Sequence, residues 1–384
     1  MIRVAIIGSG AISTSHIEAY QSFGERCEIV ALCDLRRDIA ERKRQRHRLD
    51  CAVSDDYREL LARGGIDLVS VCTPPYTHAQ IAIDALNAGV HVIVEKPMAS
   101  SLAECDRMNA AADAAGRILS VISQNRFGNE ITKLKHVLDS GLAGRIVHAQ
   151  VDSFWWRGYV YYDLWWRGTW DKEGGGCTLN HAVHHIDMLQ WLMGMPDKVT
   201  AAMSNTAHDN AEVEDLSIAI LSYPRALAQI TSSVVHHGQE QQLIFQGEKA
   251  RVSMPWKVAA STSKENGFPE ANRELEQQLQ RAADEVQPLP YVGHKGQIDN
   301  VLTAIENGSG EVLVTGREGR RTLELITAIY QSASTGETVR LPLSPDSPFY
   351  TREGVLANAV RFYEKKNAVA EFGQNDITVS GETG

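Results

Sequence analysis

Short apolar runs alternate with amphipathic segments along the first third of the chain. The runs are five or six residues long and occupy residues 3–7, 29–34, 68–72, 91–95 and 118–123, with a weaker one at 52–53. Residues 11–23, 79–88 and 102–115 carry apolar side chains at helical spacing, and Gly89 and Gly116 follow the last two segments, as is common at helix ends. Strands that alternate with crossover helices predict a parallel sheet in an α/β domain over residues 1–123.

The pattern changes after residue 123. Longer runs at residues 146–154, 213–222, 227–236 and 242–246 predict the strands of a mostly antiparallel open sheet. One strong helix is predicted at residues 178–193, and two more at 296–307 and 319–334. We therefore expect a second, α+β domain over residues 124–374, followed by a flexible polar tail over residues 375–384.

Size, charge and cysteine usage narrow the class of protein. A chain of 384 residues with 43% hydrophobic residues favours two globular domains. Its net charge of −10 disfavours nucleic acid or an anionic membrane as the binding partner. The basic run at residues 42–48 is interpreted as a solvated helix face. No apolar stretch reaches the roughly 20 residues of a membrane span, and the N-terminal run is too short for a signal peptide. The six cysteines include no C-x-x-C pair, so reduced thiols and a cytoplasmic location are expected.

A glycine-rich turn joins the first predicted strand to the first predicted helix. Gly8 permits the tight turn, Gly10 lets the backbone approach a pyrophosphate, and the helix N-terminus attracts that anion. Ser13 stands where the third glycine of the usual pattern falls. A small side chain still allows close packing of helix and strand, so the turn predicts a Rossmann dinucleotide-binding domain.

Asp34 ends the second predicted strand, 24 residues after Gly10. A carboxylate there hydrogen-bonds the ribose hydroxyls and repels a 2′-phosphate, which favours NAD over NADP. Arg36 and Arg37 follow directly and suit that phosphate, so NADP stays open as the less favoured cofactor. Two more segments, Thr73-Pro74-Pro75 and Glu95-Lys96-Pro97, follow predicted strands at the edge where such sheets bind ligands.

Four segments resemble the glucose–fructose oxidoreductase, inositol dehydrogenase and MocA (Gfo/Idh/MocA) family. They are GSGAIS followed by His16, CTPPYTHAQIAIDALNAGVHVIVEKPMA, SQNRF, and GGGCTLNHAVHHIDMLQWLMG, all within residues 2–193. The resemblance implies an NAD-dependent enzyme that oxidises or reduces a secondary hydroxyl of a sugar, glycoside or cyclitol. It also implies a homo-oligomer, a dimer or tetramer, that packs through the open second sheet.

The resemblance and the strand-end positions together define the expected site. Lys96, His184 and Asn180 are expected to be catalytic, with Asn180 where many members carry aspartate. Cofactor contacts are expected from Gly8, Gly10, Ala11, Ile12, Asp34, Arg36, Thr73, Pro74, His78, Glu95 and Lys96. Substrate contacts are expected from Arg126, Trp156, Tyr162, Trp166, Arg167, Asn180 and His184.

The spacing of Asn180, His184 and Asp187 predicts that they share one face of the helix at 178–193. Because asparagine holds no negative charge, we expect a lower His184 pKa than in members with aspartate. We also expect a depressed Lys96 pKa, because its ammonium lies near a positively charged nicotinamide. His181 and His185 have the i, i+4 spacing of zinc ligands. No H-E-x-x-H pattern is present, however, so no metal is expected and His185 is assigned to packing or to a supporting contact.

Five of the seven tryptophans fall at residues 155–170, where WWRG occurs twice. Tryptophan faces stack on the C–H faces of sugars, and Tyr159, Tyr161 and Tyr162 offer hydroxyl partners. The alternative is a core or interface cluster, and we expect some rings to be buried and others to line a sugar pocket. The two arginines beside the rings, Arg157 and Arg167, also suit a substrate with a carboxylate or sulfonate.

Two other functions stay open at this point. One is an NAD-dependent glycoside hydrolase that oxidises the sugar, eliminates the aglycone, adds water and returns the hydride. The other is a nucleotide-sensing protein without turnover, which Lys96 and His184 disfavour.

Overall fold

The computed structural model describes residues 1–370, and the predicted flexible tail at 375–384 lies outside the described residues. The first sheet contains six strands in the order β3-β2-β1-β4-β5-β6, and every neighbouring pair is parallel. Its strands are β1 (Ile2–Ile7), β2 (Cys27–Cys33), β3 (Ala52–Ser54), β4 (Leu68–Val71), β5 (His91–Val94) and β6 (Leu119–Val121). The helices between them are α1 (Ser13–Gln21), α2 (Arg37–Arg46), α3 (Tyr57–Arg63), α4 (His78–Asn87) and α5 (Leu102–Ala115). This strand order is that of the dinucleotide-binding fold, so the predicted Rossmann domain is confirmed.

The second sheet contains nine strands in the order β14-β13-β12-β11-β7-β10-β9-β8-β15. Its strands are β7 (Ile146–Phe154), β8 (Lys198–Ser204), β9 (Leu216–Tyr223), β10 (Ala226–Ser233), β11 (Gln241–Gly247), β12 (Ala250–Met254), β13 (Lys257–Ser263), β14 (Pro269–Ala271) and β15 (Val339–Arg340). The pair β7–β10 is parallel and the other pairs are antiparallel. The predicted mostly antiparallel sheet is therefore confirmed.

The remaining helices flank this sheet or return to the first one. They are α6 (Asn129–Asp139), α7 (Cys177–Asn180), α8 (Val183–Met193), α9 (Arg273–Asp284), α10 (Gly293–Glu306), α11 (Gly316–Thr335) and α12 (Arg352–Asn358). The single helix predicted at 178–193 is wrong, because α7 and α8 are separate. The Ala182 N–H donates to the Cys177 carbonyl, five residues back, at 2.9 Å. This wide turn inserts a residue into the helical register.

Helix α10 packs against the first sheet, although it lies far along the chain. Its Ile298, Val301 and Leu302 side chains are fully buried among apolar residues of β1, β2 and α1. The Arg26 guanidinium also bonds Asp299 at 2.5 Å and Glu306 at 2.8 Å. The C-terminal half of the chain therefore contributes to the core of the nucleotide-binding half.

Two further observations concern the whole described chain. Within residues 1–370, no helix is both long and apolar enough to cross a membrane. All six cysteines are free thiols, and five of them are buried.

Candidate active site

The turn after β1 has the shape that a pyrophosphate requires. Gly8 has φ +97°, and a Cβ atom there would lie 2.5 Å from the Cys72 carbonyl oxygen, so only glycine fits. At Gly10, by contrast, a Cβ atom would meet no heavy atom within 4 Å, which leaves open space beside the backbone. Ser13 is fully buried, and its hydroxyl donates to the Gly10 carbonyl at 2.7 Å. The serine therefore replaces the usual glycine without blocking the turn.

Asp34 lies directly after β2 at the edge of the same turn. Its carboxylate accepts hydrogen bonds from the Ser9 N–H at 2.8 Å and from the Arg36 N–H at 2.9 Å. Within the described chain, the Ala11 and Ile12 N–H groups donate no hydrogen bond, as expected where a helix start receives an anion. The residues present therefore fit a bound dinucleotide.

A lysine of the basic run also reaches this turn. The Lys43 ammonium donates to the Gly10 carbonyl at 3.0 Å and to the Thr14 hydroxyl at 2.8 Å. The interpretation of residues 42–48 as a wholly solvated face is wrong at this position. The charge run was visible in the sequence, but only the packing of α2 against β2 and β3 selects which of its members reaches the turn.

His78 connects the two loops that follow β4 and β5. Its buried ring lies between the Thr73 carbonyl, 2.7 Å from Nε2, and the Pro97 carbonyl, 2.9 Å from Nδ1. Both ring nitrogens thus face the protein, and the observed role of His78 is to hold the Thr73-Pro74 loop against the Lys96-Pro97 loop. Its direct cofactor contact stays a prediction.

Glu95 is a buried carboxylate behind Lys96. It accepts hydrogen bonds from His16 at 2.9 Å and from His294 of α10 at 3.3 Å. Burial alone would raise the pKa of Glu95, but the two imidazoles hold it well below its usual range. Their donor atoms lie within 4.8 Å of one another, a grouping that suits a metal ion by residue type. Because direct hydrogen bonds already join Glu95 to both rings, we assign the group to anchoring the Lys96 loop.

Lys96 joins the nucleotide-binding half to α7. Its ammonium donates to the Asn180 backbone carbonyl at 2.9 Å, across 84 residues of sequence. Burial lowers the pKa of Lys96, opposed by the charge of Glu95. The direction agrees with the prediction, but its main cause here is desolvation rather than the charge of a nicotinamide.

His184 lies on α8 beside Lys96 and is 8% exposed. Burial, and then the positive charge of Lys96, place the pKa of His184 well below its usual value. Within residues 1–370 its ring accepts and donates no hydrogen bond. A neutral imidazole with no protein partner therefore lies next to an ammonium group.

The tryptophan segment divides as the sequence predicts into buried and accessible rings. Trp155 and Trp170 are 7% and 2% exposed, whereas Trp156 and Trp165 are 45% and 39% exposed. Trp156 stacks on His237 at 5.5 Å between ring centroids, and Trp166 is partly buried. Tyr162 is 1% exposed and belongs to the core, so its predicted substrate contact conflicts with its position.

Arg126 also lies in the interior rather than in the site. Its guanidinium bonds Asp187 with two nitrogens at 2.7 and 2.8 Å and Glu318 at 2.9 Å, with no exposed side-chain surface. Asn180 ends α7, whereas His184 and Asp187 both lie in α8. The predicted stripe of all three residues on one helix is wrong because the wide turn separates Asn180 from the register of α8.

Arg167 lies in the site but is already paired. It contacts Glu173 at 3.1 Å, donates to the Tyr161 hydroxyl and lies 4.3 and 4.4 Å from the ring centres of Tyr161 and Trp166. Glu173 in turn accepts a hydrogen bond from the Asn180 side chain. Glu173 was missed in the sequence, where it is one unremarkable acid before the glycine triplet.

The glycine triplet brings these groups together by close backbone approach. A Cβ atom at Gly176 would lie 1.9 Å from the Glu214 carbonyl oxygen, and one at Gly175 would lie 2.2 Å from the Tyr330 hydroxyl. The Glu214 carboxylate accepts the Thr178 N–H at 2.9 Å. The start of α7, and with it Asn180, is therefore held against β9 and α11.

His181 and His185, the spacing considered for zinc, face different surroundings. His185 Nδ1 lies 2.9 Å from the Ser153 hydroxyl. The His181 ring lies near Trp155 and Tyr161, and its Nδ1 is buried without a hydrogen-bond partner. Of the residues described, the grouping of three potential metal ligands is the one around Glu95 and not this pair.

Comparison with known proteins places this geometry in a family. Residues 2–123 match a family described as "Oxidoreductase family, NAD-binding Rossmann fold". Residues 131–253 match the "GFO/IDH/MocA C-terminal domain". The chain belongs to the Gfo/Idh/MocA oxidoreductase family. It is therefore an enzyme of an NAD-binding family.

Relatives within the family carry several activities. The WlbA dehydrogenase from Bordetella pertussis, solved with NADH and UDP-GlcNAcA, is 31% identical with a TM-score of 0.76 over 89% of this chain and 99% of that chain. An inositol 2-dehydrogenase from Gluconacetobacter diazotrophicus is 37% identical over 66% of this chain and 74% of its own length. A 2,7-anhydro-N-acetylneuraminate hydratase from Mediterraneibacter gnavus is 28% identical over 70% and 71%.

Proposed function

We propose that this enzyme transfers hydride between NAD and a secondary hydroxyl of a sugar, glycoside or cyclitol. The observation that carries the proposal is the Lys96 ammonium, held 2.9 Å from the Asn180 carbonyl beside an unpartnered His184 ring. Lys96 lies just after β5, at the edge of the sheet where the nucleotide turn also lies, and His184 of α8 lies beside it. The inositol 2-dehydrogenase relative and the NADH-bound WlbA dehydrogenase act on or bind molecules of this class.

The proton chemistry follows from the two depressed pKa values. His184 is neutral near pH 7, so it accepts the proton of the reacting hydroxyl. The ammonium of Lys96 orients the same oxygen and stabilises the charge that develops on it. When bound, the nicotinamide supplies the hydride acceptor. In the reverse direction the imidazolium and the ammonium serve as acids.

The preference for NAD over NADP is part of the proposal. Asp34 is held at the turn by two backbone N–H groups, where its charge disfavours a 2′-phosphate. Arg36 is engaged with Asp38 at 3.3 Å. An Asp34→Ser variant should lose part of its preference for NAD, measured as the ratio of kcat/KM values with the two cofactors.

The charge of the site favours a substrate with an anionic group. Arg167 is paired with Glu173, whereas Arg157 has no carboxylate partner within residues 1–370 and donates to the Trp156 carbonyl and the Gln239 amide oxygen. We therefore propose Arg157, rather than Arg167, as the residue that binds a carboxylate of the substrate. An Arg157→Gln variant should lose activity toward sugar acids and keep it toward neutral sugars, and equal losses would exclude this role.

The glycoside hydrolase alternative has a specific observation in its favour. Hydrolysis by transient oxidation needs a second base beside the ketone, and His181 offers a buried Nδ1 without a partner. A hydratase among the relatives also has a name that implies no net oxidation. Stoichiometry separates the two functions, because a dehydrogenase accumulates NADH and the hydrolase releases aglycone without it.

We also propose a homo-oligomer that packs through the open face of the second sheet. Ile218, Ile220 and Leu227 point to this face and are 51%, 51% and 53% exposed, which is unusual for large apolar side chains on neighbouring strands. An Ile220→Lys variant should dissociate the oligomer in analytical ultracentrifugation, whereas Glu59→Gln, an exposed change on α3 away from this sheet, should not. Free thiols in all six cysteines agree with the expected cytoplasmic location.

The experiment that tests the main proposal is a panel of sugars, glycosides, sugar acids and inositols. Each compound is offered with NAD and with NADP, and the absorbance of the reduced cofactor is followed. We expect NADH formation with at least one polyol. Absence of both NADH and aglycone across the panel would overturn the proposed function.

A further inference from the structure

We infer that Glu173 is a positioning residue that turns the side-chain amide of Asn180 so that its carbonyl oxygen receives a substrate hydroxyl. The inference rests on the proposed function for the identity of the substrate. It concerns a carboxylate that lies outside the residues used for hydride and proton transfer. Its evidence is the set of groups that surround Glu173.

Within residues 1–370, every group that hydrogen-bonds the Glu173 carboxylate is a donor. Oε1 accepts from the Arg167 guanidinium at 3.1 Å and from the Asn180 side-chain amide, and Oε2 accepts from the Gly168 N–H. A carboxylate can only accept hydrogen bonds. The NH₂ group of Asn180 must therefore face Glu173, and its Oδ1 must point the other way.

Within residues 1–370, the Asn180 side chain hydrogen-bonds Glu173 through its NH₂ group and its Oδ1 accepts no hydrogen bond. Glu173 has no exposed surface, whereas Asn180 is partly exposed, so the accessible edge of the amide is the one that carries Oδ1. The backbone carbonyl of the same residue holds Lys96 at 2.9 Å. One residue thus fixes the ammonium through its main chain and offers an acceptor through its side chain.

An acceptor at this position selects a substrate group that donates. A hydroxyl fits, whereas an ether oxygen or a carbonyl would face Oδ1 lone pair against lone pair and leave both unsatisfied. A freely rotating amide would present its NH₂ group half of the time and lose this discrimination. Glu173 therefore contributes to substrate orientation without contact with the substrate.

The surroundings of Glu173 also make this arrangement sensitive to pH. Burial raises the pKa of Glu173 to about 7, against the opposing charge of Arg167. The ionisable groups around it come from four elements and are Arg167, Tyr161, Tyr162, Glu214, Lys365 and Lys96. Protonation of Glu173 would add an O–H donor beside the three groups that already donate to this carboxylate. The hydrogen bond between Glu173 and the Asn180 amide should therefore weaken as the pH falls through this value.

The test compares four proteins with one accepted substrate: the parent, Glu173→Gln, Asn180→Asp, and the variant with both changes. Glutamine at 173 imitates the protonated acid, so kcat/KM should fall about 10- to 100-fold. In the parent, kcat/KM should also fall as the pH drops below about 7, and this decline, the acid limb of the profile, should be missing in Glu173→Gln. The double variant exchanges carboxylate and amide between the two positions. It keeps both the mutual hydrogen bond and an acceptor toward the substrate, and it should recover at least tenfold over either single variant.

Controls separate positioning from folding and from the proposed function. NADH affinity, measured by fluorescence, and Tm should stay close to the parent values in the double variant. Asn180→Ala leaves the Arg167–Glu173 pair intact and should also lose the acid limb, which keeps the test valid if Glu173→Gln fails to fold. Selective ¹⁵N labelling of asparagine gives a readout without turnover, because the Asn180 NH₂ signal should titrate near pH 7 in the parent only.

Distinct results would overturn the inference. Persistence of the acid limb in Asn180→Ala, or a double variant no better than the single variants, would show that Glu173 does not act through Asn180. An Asn180 signal that does not titrate would do the same even if no substrate is found. Absence of turnover together with a titrating Asn180 signal would instead overturn the proposed function and leave the positioning role standing.

Discussion

Arg126 and Arg167 each pair with a buried or half-buried carboxylate, and the two pairs have different roles. Arg126 bonds Asp187 with two nitrogens and Glu318 with a third, and Thr322 completes the Asp187 carboxylate at 2.8 Å. Arg167 bonds Glu173 but shares its guanidinium with Tyr161. The first network joins α8, α11 and the segment after β6. The second surrounds Asn180.

The carboxylates of the two networks differ in their pKa shifts. Burial acts against ionisation in both, yet the hydrogen bond from Arg126 lowers the pKa of Glu318, whereas the pKa of Glu173 rises to about 7. Glu318 is 19% exposed and Glu173 is fully buried. The Arg126–Glu318 pair is therefore expected to stay ionised at neutral pH and to serve stability. The Arg167–Glu173 pair is expected to respond to pH, because Glu173 is fully buried and Arg167 also bonds Tyr161.

The largest effect on rate should follow removal of Lys96, which bonds the backbone of Asn180 and so belongs with the Arg167–Glu173 network. A Lys96→Met variant should lose about 10²–10³-fold in kcat, because the ammonium orients the reacting oxygen and stabilises the charge that develops on it. NADH affinity and Tm should stay near the parent values. Lys257→Met, at an exposed position of β13, is the matched control. If Lys96→Met has the same kcat as this control, Lys96 does not take part in the reaction.

Removal of Arg126 should act on stability. An Arg126→Met variant leaves the buried Asp187 carboxylate without its positive partner and should lower the free energy of unfolding by about 3–5 kcal/mol, measured by urea denaturation. At temperatures where the variant is folded, KM should be unchanged. A raised KM with unchanged stability would instead support the substrate contact predicted for Arg126 from the sequence.

Removal of Arg167 should change the pH dependence of kcat/KM rather than stability. Arg167 lowers the pKa of Glu173, so Arg167→Met should move that pKa upward, by about one unit if the lost interaction is about 1.4 kcal/mol. Because activity requires the ionised form, the acid limb of kcat/KM should move to higher pH. A limb that moves to lower pH, or remains in place, would show that Glu173 does not produce it.

The smallest effect should come from Glu318. In Glu318→Gln, Arg126 keeps both bonds to Asp187, so the loss of unfolding free energy should be about 0.5–1.5 kcal/mol. The pH profile of kcat/KM should match that of the parent. A change in the acid limb in this variant would mean that the two networks are coupled, and the separation drawn between them would fail.

The sequence predicted the fold well and the site in part. The β1 turn, Asp34, Lys96 and His184 came from local patterns and from family resemblance, and the structure brings Lys96, Asn180 and His184 together. Arg126 and Tyr162 were expected at the substrate and lie in the interior. Nothing local distinguishes an arginine that contacts a ligand from one that pairs with an acid 61 residues away.

By itself the sequence determined the alternation of strands and helices, the glycine turn and the carboxylate at the end of β2. These features depend on side-chain periodicity and on backbone freedom over a few residues. Only the tertiary structure decided that α7 and α8 are separate, that α10 returns to the first sheet and that Glu173 holds Asn180. The physical reason is that these features depend on which buried donor meets which buried acceptor, and that pairing is set by packing between distant elements.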